Sequence, residues 1–271
     1  MKIEILKAIL LGIVEGITEW LPISSTGHLI LLDEFMKLNA SEEFKEMFFV
    51  VIQLGAIIAV IVSYWEKLLP FSTGDNPHIK KETISLWGKI FTACIPAAVI
   101  GLMLDSQIDA LFYNYQTVSF TLILYGVLFI IIENRRKNQT AKINDIGQID
   151  YKMALSIGVF QVLALIPGTS RSGATIIGAM MLGASRIAAA EFTFYLAVPV
   201  MFGASLLKIV KLGLPSTGTE IAVLLVGTIV AFIVSMLAIR FLMAYIKKRS
   251  FKAFGWYRII LGIIVALYFL L

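Results

Sequence analysis

Two acids four residues apart, a run of hydroxyls and a histidine lie together near the start of the chain, in the stretch EGITEWLPISSTGHL: Glu15, Glu19, Ser24, Ser25, Thr26 and His28. On a helix, Glu15 and Glu19 share one face, as do Ser25 and His28 on a helix beginning after Pro22. A serine hydroxyl with a carboxylate and an imidazole in reach is the set that nucleophilic transfer uses, one group attacking and another taking its proton. A second polar cluster, PGTSRSGAT, carries Thr169, Ser170, Arg171, Ser172, Gly173 and Thr175. Hydroxyls and Gly27 or Gly173 at a helix start leave backbone N–H groups and the positive dipole end free for an anion. The guanidinium fork of Arg171 suits phosphate oxygens better than a small cation or a sugar.

These clusters sit in an apolar chain. Of its 271 residues 59% are hydrophobic and 15% charged, which predicts an integral membrane protein. Full-length apolar spans are expected at about 47–65, 86–104, 117–133, 191–211, 220–246 and 255–271, and stretches 3–33 and 151–185 are broken by Pro22 and Pro167. The N-terminus runs straight into Glu15 and Glu19 without a small-residue cleavage site, so it is read as mature protein. Cys94 is the one cysteine, which excludes a disulfide framework. The net charge of +5 comes from basic loop clusters that match topology signals and lack any nucleic-acid-binding pattern, so no nucleic-acid partner is expected.

The two broken stretches match each other. At an offset of 146, Gly12 falls on Gly158, Glu15 on Gln161 and Gly27 on Gly173, and Pro22 meets Pro167 when one residue is skipped. Each half, 1–133 and 151–271, then holds one broken segment and three spans, with the polar stretch 134–150 between. Three is odd, so the halves would enter the membrane from opposite faces. The expected fold is all-α, six transmembrane helices plus two re-entrant helical hairpins in an inverted-topology repeat, whose broken helices meet near the midplane. Arg135, Arg136, Lys137 and Lys142 place the connector in the cytoplasm and both termini outside.

Bland alternatives exist for every member. Intramembrane Ser and Thr most often bond the preceding turn; His28 could be a packing residue; Glu15 could pack or relay protons; Arg171 could only neutralise Glu19. The coincidence of polar residues at equivalent places in both halves favours a site, since a mid-membrane carboxylate costs roughly 2.5–3.5 kcal/mol on insertion scales. Arg186 and Glu191 read as boundary residues, His78 and Asp75 as loop, and Gln53 and Pro199 as packing or kinks. Glu15 and Glu19 could also hold Mg²⁺ or Ca²⁺, partly through water, or handle protons instead. No organic cofactor is expected.

EGITEWLPISSTGHLIL and PGTSRSGATI, with Gln161 between them, resemble the two signature motifs of the bacitracin-resistance family of undecaprenyl-pyrophosphate phosphatases, and VIQLGAIIAV and EFTFYLAVPVMFGA extend the likeness over nearly the whole chain. The resemblance implies a bacterial inner-membrane enzyme that hydrolyses undecaprenyl pyrophosphate to the monophosphate carrier of cell-wall synthesis. It implies a site at Glu15, Glu19, Ser24, Ser25, His28, Ser170 and Arg171. The partners expected are a polyprenyl pyrophosphate and membrane lipids, with a homodimer left open. The type-2 phosphatidic acid phosphatases are a rival, but Ile177 stands where their nucleophilic histidine would be expected. Ser25 is the expected nucleophile, with Glu19 and His28 handling the proton, Arg171 stabilising charge, and Thr26, Gly27, Gln161, Thr169, Ser172, Gly173 and Thr175 around the substrate. A histidine nucleophile and an activated water are the alternatives to Ser25, and a transporter of a phosphorylated lipid or anion is the alternative to an enzyme.

Overall fold

The structure, a computed structural model, describes residues 2–36, 38–71, 79–213, 215 and 217–270. The side chains of Thr26, Ile30, Asp33, Glu34, Phe35, Asp105, Ser106 and Asp109 lie outside that description, as do His78 and Asp75 entirely. Its named elements are helices: α1 Lys2–Thr18, α2 Ser25–Phe35, α3 Glu42–Ser63, α4 Trp65–Leu68, α5 Lys81–Phe112, α6 Tyr115–Arg135, α7 Tyr151–Val162, α8 Arg171–Met181, α9 Arg186–Leu212, α10 Gly218–Lys248 and α11 Lys252–Leu270. Six of them, α3, α5, α6, α9, α10 and α11, are long and apolar enough to cross a membrane. With large apolar residues such as Leu102 and Val210 facing outward, this is a multi-pass membrane protein.

Several helices begin earlier than the apolar runs suggest. Helix α3 starts at Glu42 because Ser41 Oγ accepts from Phe44 N at 3.2 Å, and α9 starts at Arg186 because Ser185 Oγ accepts from Ala188 N at 3.2 Å. Helix α5 runs to Phe112, past the expected end near 104. The connector is folded rather than loose: Asp145 and Gln148 cap a 3₁₀ turn at Ile146–Gln148, and Ile146 and Ile149 are buried.

The packing has a reciprocal pattern. Helix α1 lies against α10 while its counterpart α7 lies against α5; α3 meets α9, and α6 meets α11. Exchanging the halves maps this set of contacts onto itself. Close approach explains the paired glycines: a Cβ on Gly12 would stand 2.6 Å from Gly227 O, and one on Gly158 would collide with Ala93 O. Gly158→Ala should therefore lower stability by about 1–3 kcal/mol through overpacking. Gly203→Ala, with nothing within 4 Å of its Cβ, should be neutral or slightly stabilising. Thermal unfolding of both variants in detergent checks the contrast; equal midpoints would contradict it.

Candidate active site

Both broken segments end their entering helix and restart the chain in the same way. Helix α1 stops at Thr18, a run of turns carries the chain past Pro22, and Ser24 caps α2 with φ 74° while its Oγ accepts from Gly27 N at 3.3 Å. Helix α7 stops at Val162, and Ser170 caps α8 with φ 71° while its Oγ accepts from Gly173 N at 3.1 Å. Among the described residues these are the only non-glycine residues at positive φ, and they stand 146 apart. Each such conformation costs on the order of 1–3 kcal/mol, so its duplication points to a use for the site. Gly27 and Gly173 amides serve the caps. The amides that lack a helical acceptor are those just before them, at Ser25, Thr26, Arg171 and Ser172.

The two helix starts meet. Glu19 is their junction: Oε1 accepts from Arg171 Nη2 at 2.9 Å, Oε2 accepts from Ser25 Oγ at 3.1 Å, and its carbonyl accepts from Ser172 Oγ at 3.2 Å. Arg171 also donates Nη1 to Thr193 O at 3.0 Å and lies 5.9 Å from the centre of the Trp20 ring, leaving buried Nε unpartnered. Glu19 and Arg171 alone would be a structural ion pair. The Ser25 hydroxyl on the second oxygen is what adds chemistry, because a hydroxyl donating to a carboxylate is ready to lose its proton to it.

His28 is held elsewhere. Its Nδ1 lies 2.7 Å from Ser24 O and its Nε2 lies 2.6 Å from Tyr257 OH, the two rings stacked 5.5 Å apart. A carbonyl only accepts, so Nδ1 carries the hydrogen there. Neither nitrogen bonds the Ser25 hydroxyl, and Glu19 holds the position at Ser25 that sequence spacing shared between Glu19 and His28.

The other expected members divide. Ser170 and Ser172 hydroxyls are 3.1 Å apart beside Glu19. Thr175 is fully buried, bonding Thr193 Oγ1 at 2.9 Å and Arg171 O at 2.9 Å, so it holds α9 against the start of α8. Glu15 and Gln161, 146 residues apart, are both buried with no hydrogen-bond partner for either side-chain polar atom. Thr169 is buried at the second break; the Thr26 side chain lies outside the described residues. Thr193, Tyr257 and Arg258 join these residues without belonging to either polar motif. The last was findable, as a cation inside the final apolar span.

The metal expectation can be set against this geometry. Both Glu19 oxygens are engaged, so Glu15 is the acid left with free oxygens, and among the described residues no three His, Cys, Asp or Glu form a metal cage. Such a donor set fits a cation held largely by substrate oxygens and water.

Comparison with known proteins adds the family. Residues 8–264 match the family described as bacitracin resistance protein BacA. The chain belongs to that family. It is 66% identical over 268 residues to an undecaprenyl-diphosphatase of Acetivibrio thermocellus, covering 99% of this chain and 98% of the relative. A protein of the same name from Desulfitobacterium hafniense is 63% identical over 268 residues, covering 98% and 96%. An undecaprenyl-diphosphatase 1 of Clostridium acetobutylicum is 62% identical over 270 residues, covering 99% and 98%.

If Glu19 and Arg171 are the buried junction, removing one partner leaves the other unpaired. Glu19→Gln should cost about 3–5 kcal/mol of stability, and adding Arg171→Met should recover part of it. A double-mutant cycle by denaturant unfolding measures the coupling; simple additivity would place the pair in solvent.

Proposed function

We propose that this protein hydrolyses undecaprenyl pyrophosphate to undecaprenyl phosphate and inorganic phosphate, recycling the cell-wall lipid carrier in the bacterial plasma membrane. The observation that carries this reading is Ser25 Oγ donating to Glu19 Oε2 at 3.1 Å while Arg171 holds Glu19 Oε1 at 2.9 Å. The family and its relatives named undecaprenyl-diphosphatase supply the substrate.

In this mechanism Ser25 Oγ attacks the terminal phosphorus and its proton passes to Glu19. The anhydride P–O bond breaks, its electrons staying on the bridging oxygen, and undecaprenyl phosphate departs. Water then attacks the phosphoserine. Glu19, having released its proton to the departing phosphate, takes one from the water and returns it to Oγ as the P–Oγ bond breaks. Arg171 and the first-turn amides of α2 and α8 stabilise the charge on the transferred group. His28, fixed between Ser24 O and Tyr257, orients the backbone beside the nucleophile. A divalent cation, held by Glu15 and the pyrophosphate oxygens, would neutralise substrate charge.

Two re-entrant hairpins, α1–α2 and α7–α8, in inverted halves 1–133 and 151–271 account for the positive-φ serines 146 apart and the reciprocal packing. The connector 134–150 then lies in the cytoplasm with Arg135, Arg136, Lys137 and Lys142.

Phosphate release by purified protein in detergent, where no two sides exist, separates an enzyme from a transporter. Ser25→Ala should lose at least about 10³-fold in kcat while still binding the lipid pyrophosphate. Arg171→Lys, which keeps the charge without the fork, should lose ~10²–10³-fold. Robust turnover by Ser25→Ala would assign the attack to another group. No phosphate release by the wild type would overturn the enzyme.

A further inference from the structure

Arg258 lies within α11, is completely buried, and has no carboxylate partner among the described residues. A buried charge without a counter-ion is costly, and an apolar side chain of similar size would suit a helix core better. Stability of the span therefore does not explain it. Its neighbours do. Nη2 donates to Gly168 O at 2.8 Å and Thr169 O at 3.0 Å, in the second break. Nη1 reaches Pro22 O, in the first break, at 3.4 Å. Further contacts reach Thr121 O at 3.4 Å and Leu122 O at 3.5 Å on α6, and the Tyr125 ring lies 5.5 Å away.

The guanidinium thus gathers carbonyls from both breaks at once. Each break has lost its helical hydrogen bonds at a depth where water does not replace them, so its free carbonyls need a donor. One planar group with five N–H donors in a fixed fork can serve both breaks only while they keep one mutual position. That position sets Glu19 and Ser25 of the first half against Arg171 and Ser172 of the second. The preceding residue on the same helix, Tyr257, holds His28.

We propose that Arg258 is a positioning residue that locks the two breaks in register, and so sets the distance between the Glu19–Ser25 half of the site and the Arg171 half. Its kinetic side rests on the phosphatase reading above; its structural side does not.

The test uses the full-length protein in detergent, wild type against Arg258→Met and Arg258→Lys. Two readouts are taken: kcat and KM per folded molecule from phosphate release, and amide hydrogen exchange across both breaks. Positioning predicts that Arg258→Met stays folded with a melting midpoint near wild type, yet loses ~10²-fold in kcat at nearly unchanged KM, the size expected for misplaced reacting groups. Amides at residues 23–27 and at 168–173 should exchange faster together, while those of α9 and α10 do not. Arg258→Lys keeps the charge but not the fork, so it should fall well short of restoring kcat. Wild-type kcat in folded Arg258→Met would overturn the proposal. A raised KM at full kcat would make Arg258 a substrate ligand instead and overturn it too. Faster exchange in one break alone would refute the lock. If Arg258→Met does not fold, Arg258→Lys is the deciding variant, and full kcat in it is the contradicting result. Absence of activity in the wild type would fail the phosphatase reading, while hydrogen exchange would still judge the lock.

Discussion

One carboxylate holds the two halves of this site together. Glu19 bonds Ser25 from its own half and Arg171 and Ser172 from the other. A buried acid is costly without a partner, and the partner of Glu19 comes from a segment some 150 residues away. Closing the pair requires both entering helices to stop at the same level, both chains to turn, and both new helices to point their amides at one place. The positive-φ serines, the close glycine contacts and the reciprocal packing of α1 on α10 and α7 on α5 all follow from that demand.

Around this junction the rest of the molecule acts as support. Thr193 fixes Arg171 through its carbonyl and Thr175 through its hydroxyl, so α9 sets the angle of the guanidinium. Trp20, fully buried, packs its ring edge-on against Phe194 at 5.3 Å and lies beside Arg171. At the end of α6, Glu133 takes Arg186 through both oxygens at 2.8 and 2.6 Å and also accepts from Phe251 N at 2.9 Å. Arg136 caps the carbonyls of Met180 and Ala184 at the far end of α8. These ties anchor α8 at its C-terminal end, away from the Glu19–Arg171 junction.

Much of this was legible in the sequence because membrane folding leaves coarse marks. Apolar runs gave the six spans, prolines 22 and 167 marked the breaks, and the 146-residue offset related them. Helix starts were less visible, since hydropathy does not register a polar first turn held by Ser41 or Ser185. Spacing put His28 on the face of Ser25, but spacing cannot say which way a ring turns, and Ser24 O and Tyr257 turn it away. No side-chain motif marks Arg258, because its partners are backbone carbonyls.

The central claim is that Ser25, prepared by Glu19, forms a covalent bond to phosphorus. Rapid quenching of the turning-over enzyme, in acid and separately in alkali, followed by peptide mass spectrometry tests it most directly. Phosphate on Ser25, stable to acid, should appear before free phosphate reaches its steady rate. Phosphate on His28 in the alkaline quench, or no phosphoenzyme in either quench, would contradict it.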